Sequence, residues 1–386
     1  QLFRSPVLRS TVSLWARRPK RFGSDYRRMA RGSRQAHLLL HGSAVRIELH
    51  RDGACAEAVA VRTLGGGELL VRAKTFVIAC GGLENARLLL ASRDVQHTGI
   101  GNANDRVGRC FMDHPRAVFG KLRLRKDNRI PLLRGLPIKE GKVQFGLGFP
   151  PETLRREGLL NHYLTLEAEF SEYVAAKYQT FVQTMKVLLR RGYAGSRWKI
   201  GRSGLGQIPG MIYLITPKEL MPHFAYRCYT TLRRALNPQA GGNTRVLVFF
   251  CEQPPDPESR VQLSTEKDGL GMNRIALHWR IGEEVGRSVL RLRQALAEAM
   301  RERGLGCLEE PKQEIAFSDA SHHLGTTRMS AGPGEGVVDT QCRVHGVANL
   351  FMAGGSVFPT AGHSSPTLSI VALALRLAER LRTAPG

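Results

Sequence analysis

The residues best suited to chemistry crowd toward the C-terminal end of this 386-residue chain, in SHHLGTTRMSAGPGEGVVDTQCRVHGVANLFMAGGSVFPTAGHSSPTLSIVALALRLAERL from Ser321 to Leu381. Adjacent histidines, His322 and His323, precede Gly325-Thr326. A neutral imidazole can take a hydroxyl proton near neutral pH, because its ordinary pKa of about 6.5 lies close to the working range. Further on, Asn349–Ala353 reads as a strand that ends in Gly354-Gly355-Ser356. After a bend at Pro359 and Gly362, a helix is expected from Pro366, with Ser365 as its N-cap. Backbone N–H groups at such a start carry partial positive charge and suit an anion or an electron-rich ring. Paired glycines let the backbone approach a ligand where a side chain would block it. His323, and His114 in its Asp-His-Pro stretch, read as structural histidines.

These groups need elements to position them. Apolar runs in His37–Leu49, Ala58–Arg62 and Leu69–Val71, separated by glycine-containing turns, predict a short antiparallel meander. Phe76–Ala79 is apolar throughout and reads as a strand buried on both faces. Gly81-Gly82 turns the chain, and Glu84–Ser92 has helical spacing. Strand, glycine turn and helix form the unit from which nucleotide-binding α/β domains are built. The middle, about 117–250, mixes strand-like runs (Val143–Phe149, Met211–Ile215, Arg245–Phe250) with an amphipathic helical stretch, Val174–Leu189. Glu283–Arg303 reads as a strong helix stopped by Gly304.

Composition narrows the class. Hydrophobic residues at 42% and charged residues at 23% are ordinary for a globular chain and exclude disordered or fibrous readings. No apolar run approaches the roughly 18 residues of a membrane helix. The net charge of +24 raises the question of nucleic acid. The basic residues are spread along the chain, with one cluster at Arg17, Arg18, Lys20, Arg21, Arg27, Arg28, Arg31 and Arg34. No zinc-finger or RNA-binding signature accompanies them, so no specific nucleic-acid partner is expected. The 7 cysteines form an odd set without a C-x-x-C pair. That argues against a disulfide framework or a structural zinc site and suits a reducing, cytoplasmic compartment, with peripheral membrane association left open. The acid-poor, Arg- and Ser-rich start resembles a transit peptide, but the chain begins at Gln1 and reads as a fragment.

Other stretches agree with the C-terminal segment in their order: AKTFVIACGGLENARLLLAS, GNANDRVGRCFMDHP, CEQPPDPESRVQLS and DGLGMNRIALHW. With it they resemble the glucose–methanol–choline (GMC) oxidoreductases, FAD enzymes that oxidise alcohols. The resemblance is weakest at about 120–240. It implies an α/β (α+β) fold: a partial three-layer FAD-binding domain with an antiparallel-sheet substrate domain. The expected boundaries are 1–116 and 316–386 for the FAD side and 117–315 for the substrate side.

Carried over residue by residue, the resemblance makes His322 the base toward the substrate hydroxyl. Ser365 stands where relatives have a His or Asn before the last helix, and its shorter hydroxyl is the weaker group there. His363, two residues earlier, is a candidate to compensate. Val45 falls where the family's meander touches adenine through its backbone, with Ala79, Cys80 and Gly81 lining that side. Cys80 also reads as a small buried hydrophobe. Gly354, Gly355, Ser356, Pro366 and Thr367 fall at the flavin end, and many relatives carry an acidic residue in place of Gly354. No metal ligands are expected.

The family's opening G-x-G-x-x-G, which holds the FAD pyrophosphate, has no counterpart here, since Gly204-Leu205-Gly206 and Gly269-Leu270-Gly271 lack the spacing. The resemblance therefore implies about the C-terminal two-thirds of such an enzyme. Its expected function is oxidation of an alcohol or sugar by hydride transfer to flavin, with an electron-acceptor partner possible. The alternatives are an inactive remnant or interaction subunit that does not bind FAD alone, and a basic nucleic-acid or anionic-surface binder.

Overall fold

The computed structural model describes residues 7–16, 20–125, 136–138, 141–168, 244–311 and 313–383. The stretches Val174–Leu189 and Met211–Ile215 lie outside the described residues. From the N-terminal side, β1 (Arg9–Ala16) and an exposed helix α1 (Phe22–Gly32) precede β2 (Ser43–Leu49), β3 (Ala56–Arg62), β4 (Glu68–Arg72), β5 (Phe76–Ile78) and α2 (Glu84–Ala91). Next come β6 (Arg116–Leu124), β7 (Leu136–Ile138), β8 (Gly141–Gly148), α3 (Pro151–Glu157), β9 (Tyr163–Ala168) and β10 (Thr244–Phe250). The hairpin β11 (Arg260–Lys267) and β12 (Asn273–His278) leads to α4 (Glu283–Glu302), β13 (Gly306–Glu309), β14 (Phe317–Ser318), β15 (Leu350–Met352) and α5 (Thr367–Thr383).

The larger sheet is antiparallel and runs β1–β8–β9–β10–β6–β13, with β7 added to β8 and β14 to β6. In β6, Ala117, Phe119, Leu122 and Leu124 are buried. The inward phase slips between Phe119 and Leu122 because Gly120 (φ +99°) lies in a bulge, where the ladder to β10 shifts between Val246 and Val248. α4 covers this sheet. Its buried Val285, Val289, Leu292, Leu296 and Met300 recur at helical spacing, and each such side chain contributes roughly 1.5–3 kcal/mol. The helix ends as expected. The Gly304 N–H bonds the Arg301 carbonyl and the Leu305 N–H bonds that of Met300, with Gly304 at φ +60°.

The second core gathers the β2–β3–β4 meander, α2, the β11–β12 hairpin and a parallel pair, β5 with β15. The meander forms as expected but starts at Ser43; Leu38, Leu39 and Leu40 are exposed and outside any strand. The expectation that β5 is buried on both faces is corrected. Phe76 and Ile78 are buried but Val77 is 44% exposed, because no element among the described residues covers that face. α5 starts one residue later than expected, with the Pro366 carbonyl accepting the Ile370 N–H. β1 and α1 were not expected from the sequence. No helix among the described residues is long and apolar enough to cross a membrane.

Candidate functional site

Because β5 and β15 run parallel, Phe76 beside Leu350 and Ile78 beside Met352, both leave the sheet at the same end, and both leave through glycines. The second glycine of each pair makes room for one backbone. A Cβ on Gly82 would come 2.3 Å from the His323 carbonyl oxygen. One on Gly355 would lie 2.9 Å from that oxygen, 2.7 Å from Leu324 Cδ2 and 3.6 Å from Ile370 Cδ1 in the first turn of α5. The first glycine of each pair, Gly81 (φ +94°) and Gly354 (φ +105°), has no atom within 4 Å of the Cβ position. Bare backbone therefore faces open space at two adjoining turns, while the histidine loop passes over the glycines that follow.

Asn85, fully buried in the first turn of α2, locks these turns together. Its Oδ1 accepts the Cys80 N–H at 2.7 Å, and its Nδ2 donates to the Ala353 carbonyl at 3.0 Å and to Ser356 Oγ at 2.7 Å. Thr327 Oγ1 donates to the same Ser356 oxygen at 2.7 Å, and Thr326 Oγ1 donates to the Gly82 carbonyl. Sequence reasoning missed Asn85; the available signal was a polar residue inside the apolar LENARLLL stretch. Ser356 is buried, with its hydroxyl turned into this network. Cys80, read as a small buried hydrophobe, is instead exposed, because β5 has ended and the turn carries it off the core. Ala79 and Gly81 are exposed beside it.

His322 is held by a second lock. Met112 and Leu324 form an antiparallel bridge, with N–H to O distances of 3.0 and 2.9 Å. Between the two segments lies Asp113, whose Oδ1 accepts the backbone N–H of both His114 (2.5 Å) and His322 (3.1 Å). His322 Nδ1 lies 3.2 Å from His114 Nδ1, with the rings edge to face at 82°. Burial pushes His114 down to about 4, helped by the nearby charges of His322 and His363 and opposed by Asp113. His323 packs on Phe111 at 5.6 Å. Donor atoms of Asp113, His114 and His322 lie within 4.8 Å of one another, close enough to hold a metal ion. Sequence reasoning missed this trio, whose members come together across about 200 residues.

His363 is half-buried and stacked on Tyr163, ring centroids 5.6 Å apart. Burial lowers its pKa, against a bond to the Asn161 backbone, and the Arg9 charge adds to the lowering. Ser365 and Thr367 are exposed at the start of α5, and Pro366 is buried. Val45 is buried, at the point where the β2–β3 register shifts between Ala44 and Arg46. An extra residue in such a shift has no partner across the ladder, which leaves its backbone available.

Residues 255–374 match the family described as GMC oxidoreductase, a stretch that holds His322, the β15 glycines, Ser365 and the first half of α5. Over these residues the chain is similar to the GMC oxidoreductases. Similar curated proteins include the fructose dehydrogenase large subunit of Gluconobacter japonicus, 29% identical over 314 residues, covering 81% of this chain and 47% of that one. Another is the paromamine 6'-oxidase of Streptomyces fradiae, 25% identical over 338 residues, covering 87% of this chain and 50% of that one. The chain thus spans about half the length of these curated relatives. Among solved structures, pyridoxine 4-oxidase from Mesorbium loti superposes with a TM-score of 0.52 at 16% identity, over 92% of this chain and 60% of that one. A fungal aryl-alcohol oxidase gives 0.52 at 13%, over 94% and 64%. At such identities the likeness establishes the fold, a mixed α/β chain with antiparallel sheets.

Proposed function

We propose that this chain is part of an FAD-dependent oxidoreductase that oxidises the CH–OH group of an alcohol or sugar, with His322 as its base. The observation that carries the reading is the convergence of His322, the Gly354-Gly355 turn and the start of α5, all inside the GMC-matched segment, with the Gly81-Gly82 turn, which lies outside that segment. FAD fits what is present. Gly81 and Gly354 leave open backbone on which a flat ring can lie, and the first turn of α5 lies beside Gly355, with Ile370 Cδ1 3.6 Å from its Cβ position. Val45, Ala79 and Cys80 are assigned to the adenine side, and Gly354, Gly355, Ser356, Pro366 and Thr367 to the ring side. Ser356 contributes there through its backbone, since its hydroxyl is engaged.

When bound, FAD supplies the acceptor for the hydride that leaves the alcohol carbon. His322 takes the hydroxyl proton at Nε2, the nitrogen turned away from His114. Ser365 orients the substrate oxygen, and the loop over Gly82 and Gly355 keeps the imidazole fixed. An electron acceptor completes turnover. Within this reading residues 1–116 and 316–386 form the FAD side and 117–315 the substrate side, except that β1 joins the substrate-side sheet and β11–β12 packs in the FAD-side core.

His322→Ala is expected to lower the rate of substrate-dependent flavin reduction by ~10²–10⁴ while flavin stays bound. An unchanged rate in stopped-flow absorbance would remove His322 from the mechanism. A second reading, a non-catalytic relative, is favoured by the exposed Ser365. It predicts a colourless protein that takes up no flavin on refolding.

A further inference from the structure

We propose that His114 is a positioning residue for His322: His114 Nδ1 accepts a hydrogen bond from His322 Nδ1–H, and this fixes the tautomer that leaves His322 Nε2 bare. The inference rests on the reading of His322 as base. The facing nitrogens are 3.2 Å apart with the rings edge to face, so the lone pair of one imidazole meets the N–H of the other. Neither ring is free to drift. Asp113 Oδ1 holds the backbone N–H of both histidines, the Met112–Leu324 bridge clamps the residues alongside, and the Gly108 N–H bonds the Thr326 carbonyl at 2.8 Å. Gln253 Oε1 in turn accepts the N–H of Asp113 at 3.1 Å and the indole N–H of Trp279 at 2.9 Å, which anchors the aspartate.

His114 is 2% exposed, and its other ring nitrogen has no partner among the described residues. A histidine serving the frame would turn its ring to backbone groups, as His162 does with Val285 and Glu252. The ring of His114 turns instead to His322. Burial and the neighbouring charges of His322 and His363 outweigh Asp113 and keep His114 neutral. It therefore remains an acceptor when His322 becomes charged. The proton count is simple. His322 Nε2 gains the substrate proton, His322 Nδ1 keeps its own, and His114 neither gains nor loses one. Asp fills the same place in serine hydrolases, where it sets the tautomer of the base; a neutral imidazole does so without adding charge.

The test is long-range proton–nitrogen NMR of the flavin-loaded full chain with ring-labelled histidine, joined to stopped-flow flavin reduction. The expected spectrum of the unaltered protein has His322 protonated at Nδ1 and bare at Nε2. His114→Ala should move His322 toward the Nε2–H form and slow flavin reduction roughly 10- to 100-fold, a part of what a positioned base contributes. His114→Asn, whose amide oxygen can accept in its place, should restore part of both. An Nε2–H form in the unaltered protein, or a tautomer that His114→Asn and His114→Ala leave alike, overturns the proposal even if His322→Ala is slow. The expected tautomer with a His322→Ala enzyme of normal rate overturns the base reading instead, and the positioning role with it. Should His114→Ala not fold, the unaltered spectrum and His114→Asn still decide.

Discussion

The two cores of this molecule are finished to different degrees. The antiparallel sheet lies under α4, and Val285, Val289, Leu292 and Leu296 are all fully buried between them. The parallel pair β5–β15 has no such cover. Val77 is 44% exposed, and α5 buries Leu377 while leaving Leu368 82% and Leu375 67% exposed. The first core is held by apolar area. The site region is held largely by polar locks, Asn85 between the two turns and Asp113 between the two histidine segments. A site built this way keeps its geometry through directed bonds, and it leaves open backbone where a ligand can lie.

That contrast can be broken by mutation. Leu292→Ala, in the covered core, should cost about 2–5 kcal/mol in urea denaturation, because the removed side chain leaves a cavity under a packed sheet. A cost near zero would mean that α4 does not carry the first core.

The buried histidines should make stability depend on acid. His114 and His162 are each pushed down to about 4, burial being the main cause. Since the unfolded value is about 6.5, the unfolded chain binds protons that the folded chain refuses. Stability is complete above about pH 6.5 and falls as pH drops toward 4, by at most about 1.4 kcal/mol per histidine for each pH unit. Denaturation midpoints across that window check it, and His162→Gln should flatten part of the slope. A flat profile in the unaltered protein would show these imidazoles to be solvated.

Asn85→Ala should cost about 1–3 kcal/mol, since it removes the bonds to the Cys80 N–H and the Ala353 carbonyl and one of the two donors to Ser356. Asn85→Asp keeps the acceptor and loses both donors, so it should not rescue. The smallest effect belongs to the uncovered helix. Leu375→Ala should stay within about 0.5 kcal/mol, because the side chain is exposed and Ala is the better helix former. A loss matching that of Leu292→Ala would mean that something covers α5 in solution.

Much of the local structure was legible. The meander, β5 with its glycine turn and α2, α4 with its glycine stop, and β15 follow from periodicity and turn residues, because those signals are set within a few positions of each other. Burial was less legible. Val77 and Cys80 belong to an apolar run and read as interior, yet exposure depends on which elements lie alongside, and the run does not contain them.

The sequence by itself carried the GMC resemblance, in several stretches in the family's order, and through it the candidacy of His322, while each glycine turn is written within its own short stretch. Only the tertiary structure decided that both turns open at the same end of a parallel pair and that Asn85 ties them together. It alone brought Asp113 and His114 to His322. The reason is physical: a hydrogen bond of 3 Å requires two side chains to meet in space, and nothing in the order of residues records a meeting between positions 114 and 322.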